Sequence, residues 1–179
     1  MTDHAGSKGR KVFVTVGTTR FEKLVNAALS PTALTWMESQ GYTCLVVQYG
    51  TGQEPTVPDT RPESLSIQTY KFKPSLDEDM QQADLILSHA GAGTVMETLR
   101  LKKRLVVIIN TLLMDNHQTE LASAMAERGH LYVVERPELL DDPETWKSFQ
   151  NFDPVPHKGG DPLDFPRLLD AHLGFRKAD

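Results

Sequence analysis

The residues best suited to chemistry cluster in one run, Leu87 to Glu97 (LSHAGAGTVME). A strand ends, Gly91 and Gly93 occupy the turn, and a helix is predicted to begin near Thr94. Glycines let the backbone approach an anion closely, and the free N–H groups at a helix start point outward. Gly91, Ala92, Gly93 and Thr94 are therefore a candidate anion cradle, with His89 beside it. One helix-end charge interaction is worth only about 0.3–2 kcal/mol, so useful affinity needs several N–H donors and further side-chain contacts. Two readings of Glu97 stand side by side. Thr94-Val95-Met96-Glu97 spells a capping box, threonine at the N-cap and glutamate three residues on, and local spacing favours that. The alternative turns the Glu97 carboxylate outward to accept both hydroxyls of a ribose.

Two shorter motifs accompany this run. Asp115-Asn116-His117-Gln118 follows a strand and a short loop. Asp115 or Asn116 suits an N-cap, which puts His117 and Gln118 in the first turn of a helix. Asn, His and Gln each donate and accept, which suits sugar hydroxyls, although ordinary first-turn polarity explains them equally well. Gly17-Thr18-Thr19 after the first strand has the size to close over a phosphate, or to be a plain turn. It lacks the lysine of a Walker motif and the Gly-x-Gly-x-x-Gly of a dinucleotide site. Asp77-Glu78-Asp79 imitates a metal-binding Asp-x-Asp, but acidic residues are expected in a helix's first turn. The six histidines show no metal-ligand spacing, so no metal and no cofactor is expected. Lys102-Lys103-Arg104 reads as a solvated basic end of a helix.

The elements that must position these motifs alternate between strand and helix. Strands are predicted at Lys11–Val16, Cys44–Tyr49, Ser66–Phe72, Asp84–Leu87, Leu105–Ile109 and Leu131–Val134. Leu105–Ile109 (LVVII) is apolar at every residue, the pattern of a strand covered on both faces. Helices are predicted over Phe21–Gln40, broken or kinked by Pro31, then Leu76–Gln82, Thr94–Lys103 and Asn116–Arg128, with Gly129 at the C′ position. The fold class is α/β: a Rossmann-like, mostly parallel sheet with helices on both faces. Such sheets bind ligands at the carboxyl ends of their strands, where all three motifs fall. Domain limits follow as a flexible lead-in over 1–10, a binding domain over 11–134, and a Pro-rich extension over 135–179. The extension ends in an amphipathic helix (Phe165, Leu168, Leu169, Leu173) that packs on its own sheet or on another subunit. Thr51–Glu63, with three prolines, is a long loop.

Composition excludes several classes. With 39% hydrophobic and 24% charged residues, 179 residues can build a core. A net charge of −5 speaks against a general nucleic-acid binder. The single cysteine, Cys44, lies in an apolar run and reads as a small packed hydrophobe, which fits a reducing, cytoplasmic setting. No stretch has the length of a membrane span or the pattern of a signal peptide, so work at a membrane is expected to need a partner.

Taken in order, FVTVGTT, SHAGAGTVMETL and MDNHQTELA resemble the catalytic subunits of the two-subunit UDP-N-acetylglucosamine transferases of dolichol-linked oligosaccharide synthesis. Those are similar in turn to the C-terminal, donor-binding half of the bacterial lipid-II-forming GlcNAc transferase (glycosyltransferase family 28, GT-B fold). The resemblance covers roughly Lys11 to Val134. It implies that Gly91, Ala92, Gly93 and Thr94 cradle the diphosphate of UDP-GlcNAc. Glu97 would then bind the uridine ribose, Asn116, His117 and Gln118 would contact the GlcNAc, and His89 would belong to the same substrate site. Gly17, Thr18 and Thr19 would face the donor or the interdomain cleft, and here the chain departs from the bacterial relatives' longer glycine-rich loop. The implied reaction passes GlcNAc to GlcNAc-diphosphodolichol with inversion, forming a β-1,4 link. This is the second step in assembling the lipid-linked oligosaccharide for N-glycosylation. A membrane-anchored partner would bind the dolichol-linked acceptor and recruit the chain to the cytosolic face of the endoplasmic reticulum. Asp115 and His89 are the in-chain candidates for the base. The competing readings are a non-catalytic nucleotide-binding or scaffold subunit, and a UDP-GlcNAc epimerase-like enzyme, for whose second domain 179 residues leave no room.

Overall fold

Along Val12-Phe13-Val14, successive side chains must point to opposite faces of a sheet, and each of the three is fully buried. Both faces of that strand are therefore covered. The computed structural model describes residues 9–109 and 116–157, the first four of the second segment by backbone alone. Six strands form one sheet: β1 (Arg10–Thr15), β2 (Tyr42–Gln48), β3 (Ser66–Tyr70), β4 (Leu85–His89), β5 (Arg104–Ile108) and β6 (Tyr132–Val134). They lie in the order β3-β2-β1-β4-β5-β6, and every pair is parallel. This is the doubly wound order, with its topological switch between β1 and β4.

Two cores sandwich the sheet. The first unites Val12 and Val14 with α1 (Glu22–Ala28), α2 (Pro31–Ser39), a 3₁₀ turn (Pro137–Asp141) and α6 (Pro143–Gln150). The second unites Phe13 and Ile86 with α3 (Asp77–Gln82), α4 (Ala92–Arg100) and α5 (Asn116–Glu127). Pro31 does not kink a long helix; it begins a new one. Ser30 is the N-cap, its hydroxyl accepting from the Ala33 N–H at 3.3 Å, and Pro31 takes the position where a missing N–H costs nothing. At the far end of α5, Gly129 (φ +72°) closes the helix as expected. Its N–H reaches the Ala126 carbonyl while that of His130 reaches Met125, the paired bonds of a Schellman motif.

Two expectations need correction. The first concerns the basic run after α4. The helix ends at Arg100, Lys102 adopts a left-handed backbone (φ 53°), and Arg104 opens β5. The Arg104 guanidinium donates to the carbonyls of Phe149 and Phe152 and lies 4.5 Å from the centre of the Phe149 ring. It is a structural clamp, not a solvated charge. The second concerns the extension from Glu135 onward, where no helix is expected before Phe165. Helix α6 stands there, and its Trp146 and Phe149 are each only 1% exposed in the first core. Trp146 stacks on Trp36 at 4.3 Å and donates its indole N–H to the Leu140 carbonyl. Eight residues with one apolar pair are too short for a period to stand out. The expected lead-in before residue 9, Asp115, and the expected helix Phe165–Phe175 lie outside the described residues.

Candidate functional site

Strand β4 runs out at His89, and the chain turns sharply into α4. The His89 carbonyl accepts from both the Ser88 hydroxyl and the Gly91 N–H, each at 2.8 Å, which closes the turn. Gly91 is the N-cap, so α4 begins two residues earlier than predicted, and Val95 is the first N–H of its ladder to find a carbonyl, that of Gly91. The N–H groups of Ala92, Gly93 and Thr94 have no acceptor among the described residues. Three consecutive donors at the positive end of a helix dipole make a ready anion site. The fourth cradle residue, Gly91, has its N–H committed to His89 and contributes space instead.

The capping box does not form. Thr94 lies inside the helix as its third residue, and no side chain caps the end. Glu97 instead pairs with Arg100 one turn on, Oε1 to Nη2 at 2.5 Å and Oε2 to Nε at 2.9 Å. That hydrogen-bonded pairing holds the carboxyl below its usual range, so Glu97 is an anion at neutral pH. Its side chain keeps 30% of its surface exposed. Gly93, Glu97 and Arg100 succeed one another at helical spacing on the side of α4 away from buried Val95, Thr98 and Leu99. A carboxylate therefore stands one turn behind the free amides, on their own exposed strip.

His89 fills the crevice between β1 and β4. A Cβ on Gly91 would come within 2.4 Å of its Nε2, and one on Gly17 within 3.0 Å of its Cε1. Both glycines are explained by this ring, and Gly17 also by its φ of +61°. Burial lowers the imidazole pKa, with the Thr15 carbonyl opposing, so the ring is neutral at neutral pH. Its Nδ1 is enclosed without a well-aligned hydrogen-bond partner among the described residues. Gly93 differs from both: a Cβ there meets nothing within 4 Å, because it points into open space before the helix start.

The residues matched by the family described as glycosyltransferase family 28 C-terminal domain are 11–143, which include every element from β2 to β6 and the site just described. The chain belongs to that family. It is 49% identical over 121 residues to the human UDP-N-acetylglucosamine transferase subunit ALG13, an alignment covering 68% of this chain and 11% of that protein. The chain thus spans about a tenth of that relative's length. An NMR solution structure of ALG13 superposes with a TM-score of 0.67 at 25% identity, covering 90% of this chain and 95% of that one. MurG from Acinetobacter baumannii superposes at 0.65 over 94% of this chain and 51% of its own, with 19% identity, a likeness of fold.

Within this family fold, the remaining predicted residues fall as follows. Gly17, Thr18 and Thr19 follow β1 at the carboxyl edge of the sheet, across the crevice from α4. The Gly17 N–H is taken by Thr15 Oγ1 at 3.1 Å, and the Thr19 N–H and hydroxyl both go to the Val16 carbonyl. Asn116, His117 and Gln118 form the first turn of α5, at the same edge as the α4 start. Sequence reasoning missed the burial of two polar residues, one at the end of β2 and one in α3. Gln48, 1% exposed, binds the β1 loop from beneath. Asp79 has the expected first-turn position in α3 but is buried, accepting from Tyr70 Oη at 2.6 Å and Lys73 Nζ at 2.7 Å. Burial and the Asp79 carboxylate together push the Tyr70 phenol well above its ordinary pKa. A glutamine ending an apolar strand (CLVVQ) was the available signal for the first. Among the described residues no three His, Cys, Asp or Glu side chains converge as a metal site would require, and no helix is long and apolar enough to cross a membrane.

Two outcomes follow from this geometry. Gly91→Ala displaces the His89 ring and costs about 1–3 kcal/mol of stability, as overpacking does, whereas Gly93→Ala is neutral or stabilising by up to about 1 kcal/mol; thermal unfolding of both separates them. Because folding depresses the His89 pKa, its contribution to stability is complete above the unfolded value of about 6.5 and is lost as pH falls toward the folded value. Denaturant titrations from pH 7.5 to 5 should show stability falling with pH, and His89→Gln should flatten that slope; an unchanged slope refutes the assignment.

Proposed function

We propose that this chain is the donor-binding subunit of an N-acetylglucosaminyltransferase that uses UDP-GlcNAc. The single observation that carries the reading is the row of unpaired amides at Ala92, Gly93 and Thr94 with the Glu97 carboxylate one turn behind. A diphosphate fits the amides, and a ribose offers its two hydroxyls to a carboxylate held ionised by Arg100. The name of the human relative, a UDP-N-acetylglucosamine transferase subunit, supports the same donor.

In finer detail, the reaction transfers GlcNAc to GlcNAc-diphosphodolichol with inversion and a β-1,4 link. The acceptor hydroxyl attacks the anomeric carbon, the bond to the UDP oxygen breaks, and a base takes the hydroxyl proton. The α4 amides stabilise the charge growing on the departing diphosphate, so the chemistry needs no metal ion here. Neutral His89 and Asp115 are the candidate bases in this chain. Asn116, His117 and Gln118 contact the sugar from the start of α5. The acceptor lies on a membrane-anchored partner subunit, which recruits this chain to the cytosolic face of the endoplasmic reticulum. The word "subunit" in the relative's name favours such a partner.

The decisive measurement pairs calorimetric UDP-GlcNAc binding with unfolding for Glu97→Ala. Affinity should fall by roughly 1.5–3 kcal/mol, the worth of hydrogen bonds to a charged group, while stability changes by less than about 1 kcal/mol, since an exposed ion pair contributes little. Unchanged affinity overturns the ribose role. Full-rate lipid glycosylation by the chain alone overturns the partner.

A further inference from the structure

The side-chain amide of Gln48 has its whole bonding capacity in use beneath the β1 loop. Its Oε1 accepts from the Thr15 hydroxyl at 2.7 Å and the Val16 N–H at 3.2 Å. Its Nε2 donates to the Gly17 carbonyl at 2.8 Å and the Lys71 carbonyl at 2.9 Å. Only one orientation of the amide satisfies all of these, since two carbonyls require a donor and a hydroxyl and N–H require an acceptor. Thr15 Oγ1 extends the network by accepting from the Gly17 N–H. Gln48 therefore ties the loops after β1 and β3 to the end of β2.

One consequence concerns the peptide between Gly17 and Thr18. The described chain has no cis peptide bond, and in a trans peptide the C=O and N–H point in opposite directions. With the Gly17 carbonyl drawn inward to Gln48, the Thr18 N–H must point outward at the carboxyl edge of the sheet. Thr18 is exposed, and its N–H has no acceptor among the described residues. The left-handed backbone of Gly17, whose missing Cβ also makes room for His89, is part of the same arrangement.

We propose that Gln48 is a positioning residue for the donor site, locking the Gly17–Thr18 peptide so that the Thr18 N–H becomes a further donor to the diphosphate, across the crevice from the α4 amides. The inference rests on the donor-binding reading above and adds a residue that touches no substrate. Gln48→Glu isolates the effect: it keeps the acceptor oxygen but replaces the donor facing Gly17 and Lys71 with a second oxygen, which releases the peptide.

The test is titration of the isotope-labelled full chain with UDP, following individual amide resonances. In the wild type, the Thr18 resonance should move together with those of Ala92, Gly93 and Thr94. In Gln48→Glu, the α4 amides should still move, the Thr18 response should vanish, and UDP affinity should fall about tenfold, as for loss of one hydrogen bond. Leu34→Ala, buried in the first core away from the crevice, should lower stability yet keep the Thr18 response, which separates positioning from general loosening. A wild-type Thr18 resonance that ignores UDP while the α4 amides respond overturns the inference alone, and this holds even if Gln48→Glu does not fold. A Gln48→Glu protein that keeps both the Thr18 response and the affinity overturns it too. If UDP moves none of the α4 amides, the donor-binding reading falls and takes this inference with it.

Discussion

Parallel neighbours β1 and β4 are followed by helices on opposite faces of the sheet, α1 into the first core and α4 into the second, and that divergence makes the rest of the site possible. Where two adjacent strands send their chains apart, the loops leaving them cannot pack on each other, and a crevice opens at the carboxyl edge. His89 occupies its floor, between Gly17 on one lip and Gly91 on the other. The ring sets the spacing of the lips, and the glycines are the complement of its shape. Because the helix start on one lip is not capped, its amides stay available, a local deficit in hydrogen bonding that a bound anion would make good.

The polar groups around this crevice divide into those that are satisfied and those that are not. Gln48, Thr15, Thr19 and the N–H groups of Gly17 and Gly91 all have protein partners and serve to hold the loops. Ala92, Gly93, Thr94 and Thr18 present N–H groups with none among the described residues. Buried polar groups without partners are costly, and these donors escape the cost by facing solvent. Placing satisfied groups beneath unsatisfied ones is how a rigid scaffold offers an anion a preformed set of donors. The ion pair of Glu97 with Arg100 fits the same division: it keeps the carboxylate ionised and steered while leaving part of it accessible.

Short elements with strong local chemistry were legible along the chain. The six strands were recoverable because a fully apolar run such as LVVII, too short for a helix of its own, suits a strand buried on both faces. Gly129 was recoverable because a left-handed residue must end α5. Helix α6 was not legible, since Trp146 and Phe149 alone define no period and only packing on Trp36 and Tyr132 reveals their face. Arg104 misleads for a similar reason: a basic residue beside Lys102 and Lys103 looks solvated until the carbonyls of Phe149 and Phe152, distant in the chain, arrive to receive it.

At the site, chain order was enough to settle which residues would stand at the carboxyl edge. Gly17–Thr19 and the start of α5 follow strands, the run to Glu97 starts at the last residue of β4, and the alternation of an α/β chain leaves them no other edge. What each of them does there was settled by folding. Thr94 and Glu97 satisfy the spacing of a capping box, yet the close of the turn at His89 makes Gly91 the N-cap of α4 and carries both residues past the cap. Gly17 and Gly93 look alike in the chain, yet one is shaped by the imidazole of a neighbouring strand and the other by open space. Local spacing encodes bonds a few residues long, whereas the availability of an amide or a carboxylate depends on partners brought from elsewhere, and only the folded chain brings them.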